Sequence, residues 1–204
     1  MSKIGIDVSS YQGKIDWAKV KDNGIEFAII KIIRKDLYPD NQFETNWKGC
    51  NDCGITIQGV YNYSYADSVQ KAENDAKEVI KILNGRKAMV WFDSEDDCQK
   101  NLGPKLISII NAYAAVILNA GLQFGVYSGE WFYKTYIQSQ GSLNYPVWIA
   151  NYGNNTGKLE PVHEPEIAGM VGWQYTSMGK VNGISGTVDM NIWYDDIQNR
   201  NPQK

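Results

Sequence analysis

Eight short runs rich in β-branched and aromatic residues punctuate the chain, and the spacing between them limits the folds open to it. They are KIGIDV (3–8), FAIIKII (27–33), ITIQGVYNYSY (55–65), AMVWFD (88–93), QFGVYS (123–128), PVWIAN (146–151), VGWQYT (171–176) and TVDMNIW (187–193). Each has the composition of a strand. Between the third and fourth, Val69, Ala72, Ala76, Val79, Ile80 and Leu83 recur at helical spacing, with Asp67 and Gln70 as a capping box and Gly85 as a stop. Between the fourth and fifth, Pro104 opens and Gly121 ends a second helix carrying Leu106, Ile109, Ile110, Tyr113 and Ile117. Strand then helix, repeated, implies parallel strands with crossovers. The last third changes: NYGNNTGKLEPVHEPEIAG and SMGKVNGISG are dense in Gly, Asn and Pro and leave no room for full helices. The expected fold is α/β, a TIM-like (β/α) barrel of about eight strands and fewer than eight helices. A length of 204 residues is at the lower limit for such a barrel.

That length fits a single domain over residues 1–204, with 195–204, ending in NRNPQK, a tail or the start of a linker. No run of about 18 apolar residues could span a bilayer, so no membrane insertion is expected. MSKIGIDVSS has no apolar leader core and reads as the start of a strand, which points to synthesis in the cytoplasm. A net charge of -3 without a Lys/Arg stripe excludes the electrostatics of nucleic-acid binding.

The cysteines Cys50, Cys53 and Cys98 are expected to be reduced; Cys50 and Cys53 form one C-x-x-C with no second pair, too little for a zinc site. His163, the only histidine, is followed by Glu164 and Pro165 rather than set in H-E-x-x-H. A Ser-His-Asp or Cys-His mechanism would rest on that loop residue alone. Phosphate-binding glycine motifs are absent from the sequence.

Carboxylates carry the remaining signal. In barrels of this kind chemistry sits where strands end and loops begin. Asp7 closes the first run, Asp93 and Glu95 close the fourth, and Asp189 lies in the last. Residues i and i+2 of a strand share a face, so Asp93 and Glu95 would project together with Cα atoms about 6.6 Å apart. Such proximity disfavours double ionisation, and one carboxyl stays protonated near neutral pH. Glycosidic hydrolysis needs that proton donor plus a negative charge to steady an oxocarbenium-like centre. Asp96 and Asp97 read as solvated loop acids. Tyr61, Tyr63 and Tyr65 alternate along one strand, and Trp148 and Trp173 lie near later strand ends. Aromatic rings there suit either a barrel core or the flat faces of sugars.

The motifs GIDVSSYQGKIDW, FAIIK, GVYNYSYA, WFDSE, GVYSGEWF, VWIANYG and WQYTSMGKVNGISGTVDMN, in this order from Ile4 to Trp193, resemble those of the family 25 glycoside hydrolases, the CH-type N-acetylmuramidase lysozymes. The resemblance implies a flattened barrel that cleaves the β-1,4 bond between N-acetylmuramic acid and N-acetylglucosamine in peptidoglycan strands, with no metal or cofactor. It implies catalytic roles for Glu95, Asp93, Asp7 and Asp189. Glu95 would protonate the leaving oxygen while the substrate's 2-acetamido group attacks, oriented by Asp93; direct inversion is the rival route. Tyr61, Tyr63, Tyr127, Trp148, Trp173 and Gln174 are the substrate-binding candidates. An endolysin or autolysin, acting on the wall after lysis or export and joined to a possible C-terminal wall-binding domain outside this chain, is the expected setting. A non-catalytic sugar-binding module and a metal-dependent hydrolase using the same acids are the alternatives. The sequence departs from the family pattern at Lys31-Ile32-Ile33-Arg34-Lys35, where Lys-Ala-Thr-Glu-Gly is common, and at Asn62, where a histidine is frequent. Both segments are expected to border the cleft.

Overall fold

Eight strands close into a barrel in chain order: β1 (Ser2–Val8), β2 (Phe27–Lys31), β3 (Thr56–Tyr63), β4 (Met89–Asp93), β5 (Gln123–Gly129), β6 (Val147–Ala150), β7 (Met170–Gly179) and β8 (Val188–Tyr194). The computed structural model describes residues 2–141 and 143–194, so the expected tail or linker at 195–204 lies outside the described residues. Every run read as a strand is one. From β1 to β7 neighbouring strands are parallel, but β8 is antiparallel to both β7 and β1. Residues 180–187 are too few for a crossover of a dozen or more residues, so β8 can only return as a hairpin.

Helices α1 (Trp17–Asp22), α2 (Phe43–Asp52), α3 (Val69–Leu83) and α4 (Pro104–Asn119) fill the first four crossovers. The fifth holds α5 (Glu130–Phe132) and irregular turns, and the sixth only a 3-10 turn at Pro161–His163. The expected capping box at Asp67 is displaced by one residue. Ser68, in extended conformation, caps α3 by accepting from the Lys71 amide, while Asp67 pairs with the Lys71 ammonium at 2.6 Å. The side chain of Gln70 bonds Asn74 instead of closing a box.

The two-residue period of the strands sorts their side chains into two shells. Ile6, Val8, Ala28, Ile30, Val60, Val90, Phe92, Val126, Ile149 and Trp173 pack in the shell beneath the helices. Phe27, Ile29, Trp91, Tyr127, Trp148 and Trp193 fill the barrel itself. The large inner rings fit because glycines face them. A Cβ on Gly5 would stand 2.5 Å from the Phe27 ring, one on Gly125 2.3 Å from Trp91, and one on Gly172 2.3 Å from Trp193. The lumen is a packed plug, and it forces the polar side chains of the same strands to its mouth.

Candidate active site

Two residues beyond the plug, the same strand faces carry acids. Asp7 follows Gly5 on β1, Asp93 follows Trp91 on β4, and β8, running the other way, reaches the mouth at Asp189 after Trp193 and Asn191. Asp7 and Asp189 stand directly opposite in the β1–β8 ladder. Two like charges there would repel, and the pair answers by sharing a proton across a hydrogen bond. The Oδ2 of Asp7 accepts from Gln174 Nε2 and Asn191 Nδ2, both at 2.8 Å, which favours its ionised form. Burial still lifts it to about 6. Among the described residues Asp189 has no such donors in its favour; burial, then the charge of Asp7, push it to about 8, so Asp189 holds the proton.

The strand β4 ends at Asp93, yet its backbone keeps its course. Ser94 N donates to Tyr127 O at 2.9 Å, its hydroxyl donates to Gln99 at 2.8 Å, and its carbonyl accepts from Ser128 at 2.6 Å. That clamp sets the position of Glu95, which is partly buried. Burial is the first cause that raises Glu95 to about 7, followed by the charges of Asp7 and Asp96. The expected repulsion between Asp93 and Glu95 acts on Asp93 instead: burial and then Glu95 raise it, while Lys31 pulls it down. Asp93 is 4% exposed, and among the described residues its Oδ1 has no hydrogen-bond partner. A buried carboxyl oxygen of that kind is unstable unless protonated or met by a donor. Asp96 caps the turn at Asp97–Gln99 and accepts from the Tyr63 hydroxyl at 3.2 Å, while its charge still reaches Glu95, and Asp97 pairs with Lys100.

The aromatic candidates separate by strand parity. Tyr61 is on the lumen face of β3, Tyr63 is partly exposed against the Tyr65 ring, and Lys31 Nζ lies 5.8 Å from each of the Tyr61 and Tyr63 centroids. Tyr127 donates to Gln174 Oε1 at 2.7 Å, and Gln174 passes that link on to Asp7. Trp148 and Trp173 were expected in the cleft and are not: each is 1% exposed and offers a sugar almost no surface. Trp148 packs in the lumen against Tyr127 at 4.3 Å and Trp91 at 5.9 Å, and its Nε1 donates to Asn191 Oδ1 at 2.8 Å. Trp173 neighbours Gln174 in sequence, so it points the opposite way, into the outer shell. Asn62 does not border the cleft either; it is buried on the outer face of β3 and donates to the Tyr113 hydroxyl at 3.4 Å.

Two members of the network were not among the candidates. Asn191, which orients Asp7, sits two residues from Asp189 on the same strand face, a period the sequence displays. Tyr152, which donates to Gln174 at 2.7 Å, lies in a loop past β6 where no periodicity points to it. The cysteines are free thiols, with Cys50 buried, and among the described residues no cluster of His, Cys, Asp or Glu is arranged to hold a metal ion. No described helix is long and apolar enough to cross a membrane.

Residues 6–184 match the model of a family described as glycosyl hydrolases family 25. The chain is 32% identical over 198 residues to the autolytic lysozyme of Clostridium acetobutylicum, covering 95% of this chain and 56% of that protein. It is 30% identical to the uncharacterized protein YegX of Escherichia coli, covering 95% of this chain and 70% of the relative. Among solved structures, the catalytic domain of endolysin ply40 from Listeria monocytogenes bacteriophage P40 superposes with a TM-score of 0.79 at 25% identity, covering 98% of this chain and 97% of that one. The modular autolysin LytC of Streptococcus pneumoniae does so with a TM-score of 0.76 at 30% identity, covering 95% of this chain but 47% of the other. The chain therefore spans about half the length of some of the proteins it resembles.

Proposed function

The chain belongs to glycosyl hydrolases family 25, and from that premise we propose that it is a lysozyme cleaving the β-1,4 bond between N-acetylmuramic acid and N-acetylglucosamine in peptidoglycan. The observation that carries this reading is Glu95, a partly buried acid raised to about 7 beside the buried carboxyl of Asp93. A carboxyl that keeps its proton near neutrality can deliver it to a glycosidic oxygen. A simple sugar-binding module has no use for so costly a cluster of acids.

In this mechanism Glu95 protonates the leaving oxygen. The substrate's own acetamide carbonyl attacks the anomeric carbon, and Asp93 orients that amide, the substrate-assisted route. Asp7 acts from behind. Held by Gln174 and Asn191, its charge helps keep Glu95 protonated, and Asp189 buffers that charge by carrying the shared proton. Glycan strands of the bacterial wall are the substrate, reached after lysis or export. The net charge of -3 gives no general attraction to anionic walls, so targeting falls to sugar recognition or to a wall-binding module of the kind that relatives' extra length could hold.

The test is digestion of purified peptidoglycan followed by analysis of the new reducing ends. N-acetylmuramic acid at those ends supports the reading; N-acetylglucosamine there, or no cleavage, ends it. NMR of the first-formed anomer decides the route, because an inverted product excludes participation by the acetamide.

A further inference from the structure

We propose that Trp131 is the stacking platform for the sugar on the leaving side of the scissile bond, held in a groove that opens from Glu95. This rests on the muramidase reading and adds a residue to it. The groove, of about 460 Å³, lies over the ends of β4, β5 and β6 and is lined by Glu95, Lys100, Glu130, Trp131, Phe132 and Asn151. Of the four acids it is Glu95 that borders it. A sugar in this groove therefore lies beside the proton donor, and the sugar that receives that proton is the leaving one.

Trp131 is 63% exposed, whereas the lumen tryptophans Trp91 and Trp148 are at most 1% exposed. A large indole left in water gains little for folding, and this one has neighbours that orient it. Its ring meets Tyr136 edge-on at 5.4 Å and 88°, and Lys100 Nζ stands 6.0 Å from its centroid. The surrounding polar groups are also fixed: Glu130 accepts from Asn151 at 2.5 Å and from Lys134 at 2.6 Å. The groove thus presents an apolar ring face, an ammonium, an amide and a carboxylate side by side. Pyranose rings, with apolar C–H faces and hydroxyl edges, match that combination, whereas an aliphatic ligand would leave the charged groups desolvated. The sequence places Trp131 within GVYSGEWF, directly after β5, where loops at the barrel mouth carry binding residues.

The experiment uses soluble glycan fragments of peptidoglycan with wild type, Trp131→Ala and Trp131→Phe, each checked by a melting curve. Trp131→Ala should raise KM about five- to tenfold and lower kcat by less, with an unchanged melt, and Trp131→Phe should recover most of the loss. In Glu95→Gln, N-acetylglucosamine oligomers should also shift the indole N–H resonance that Trp131→Phe removes. A wild-type KM in Trp131→Ala, or an indole resonance that ignores the sugar, overturns the platform while leaving muramidase activity standing. A wild type that cleaves no muramyl glycan ends the functional reading itself, and the platform with it.

Discussion

The floor and the mouth of the barrel are built from the same strands on the same face, one or two pleats apart, and they obey opposite rules. On the floor, Phe27, Trp91 and Trp193 interlock with glycines and exclude every charge. At the mouth, Asp7, Asp93, Glu95 and Asp189 crowd into a space where no more than some of them can be ionised at once. Close packing stabilises the first region, and mutual repulsion destabilises the second. A site that holds raised carboxyls needs a scaffold with stability to spare, and the aromatic plug directly beneath supplies it.

The sharpest way to break this division is Glu95→Gln. The amide keeps the shape but has no proton to give, so turnover should fall by about two to four orders of magnitude while the melt is retained. Folded Glu95→Gln with near-normal turnover would remove Glu95 as the acid. On the floor, Trp91→Ala should do the reverse. Trp91 is fully buried among Trp148, Trp193, Gly59 and Gly125, and its loss should cost about 3 to 5 kcal/mol of stability. Activity per folded molecule should suffer far less. If activity collapses at unchanged stability, floor and mouth are not separable.

A smaller effect links the two regions through pH. Glu95 is raised from its ordinary 4.5 to about 7, and Asp189 from 3.8 to about 8, so across this window the folded protein binds more protons than the unfolded chain. Stability must therefore fall as pH rises through that range. Glu95→Gln removes its share of the penalty and should be more stable than wild type at pH 8 by about 2 kcal/mol, after allowance for the partial exposure of Glu95, with little difference at pH 4. Denaturant titrations at the two pH values read it directly, and equal stabilities at pH 8 would mean Glu95 titrates normally. The smallest effect is on the rate profile. Glu95 works while protonated, so the rate should decline as pH rises through about 7. Asp7→Asn removes the largest charge that raises Glu95 and should move that declining limb to lower pH; an unmoved limb would leave burial and Asp96 as the causes.

The sequence by itself determined the eight strands, the two long helices and the positions of the four acids. Each of these is written in local chemistry: β-branched runs of period two, an apolar stripe at helical spacing, carboxylates at strand ends. What only the tertiary structure decided was how these parts face one another. Trp148 and Trp173 are substrate-binding candidates in sequence although their residue types also suit a core, because a strand's pattern shows that neighbours alternate but not which side encloses the lumen. The barrel's closure sent Trp173 outward, put Gln174 inward onto Asp7, and buried Trp148 beneath the site. Trp131 carries no distinguishing local signal either; its exposure shows once the other large rings are packed away. The direction of β8 followed from a connection too short to cross over, and that reversal brought Asp189 to the mouth opposite Asp7. The proton they share is a property of two residues far apart in sequence, and closure of the barrel is what brings them within hydrogen-bonding reach.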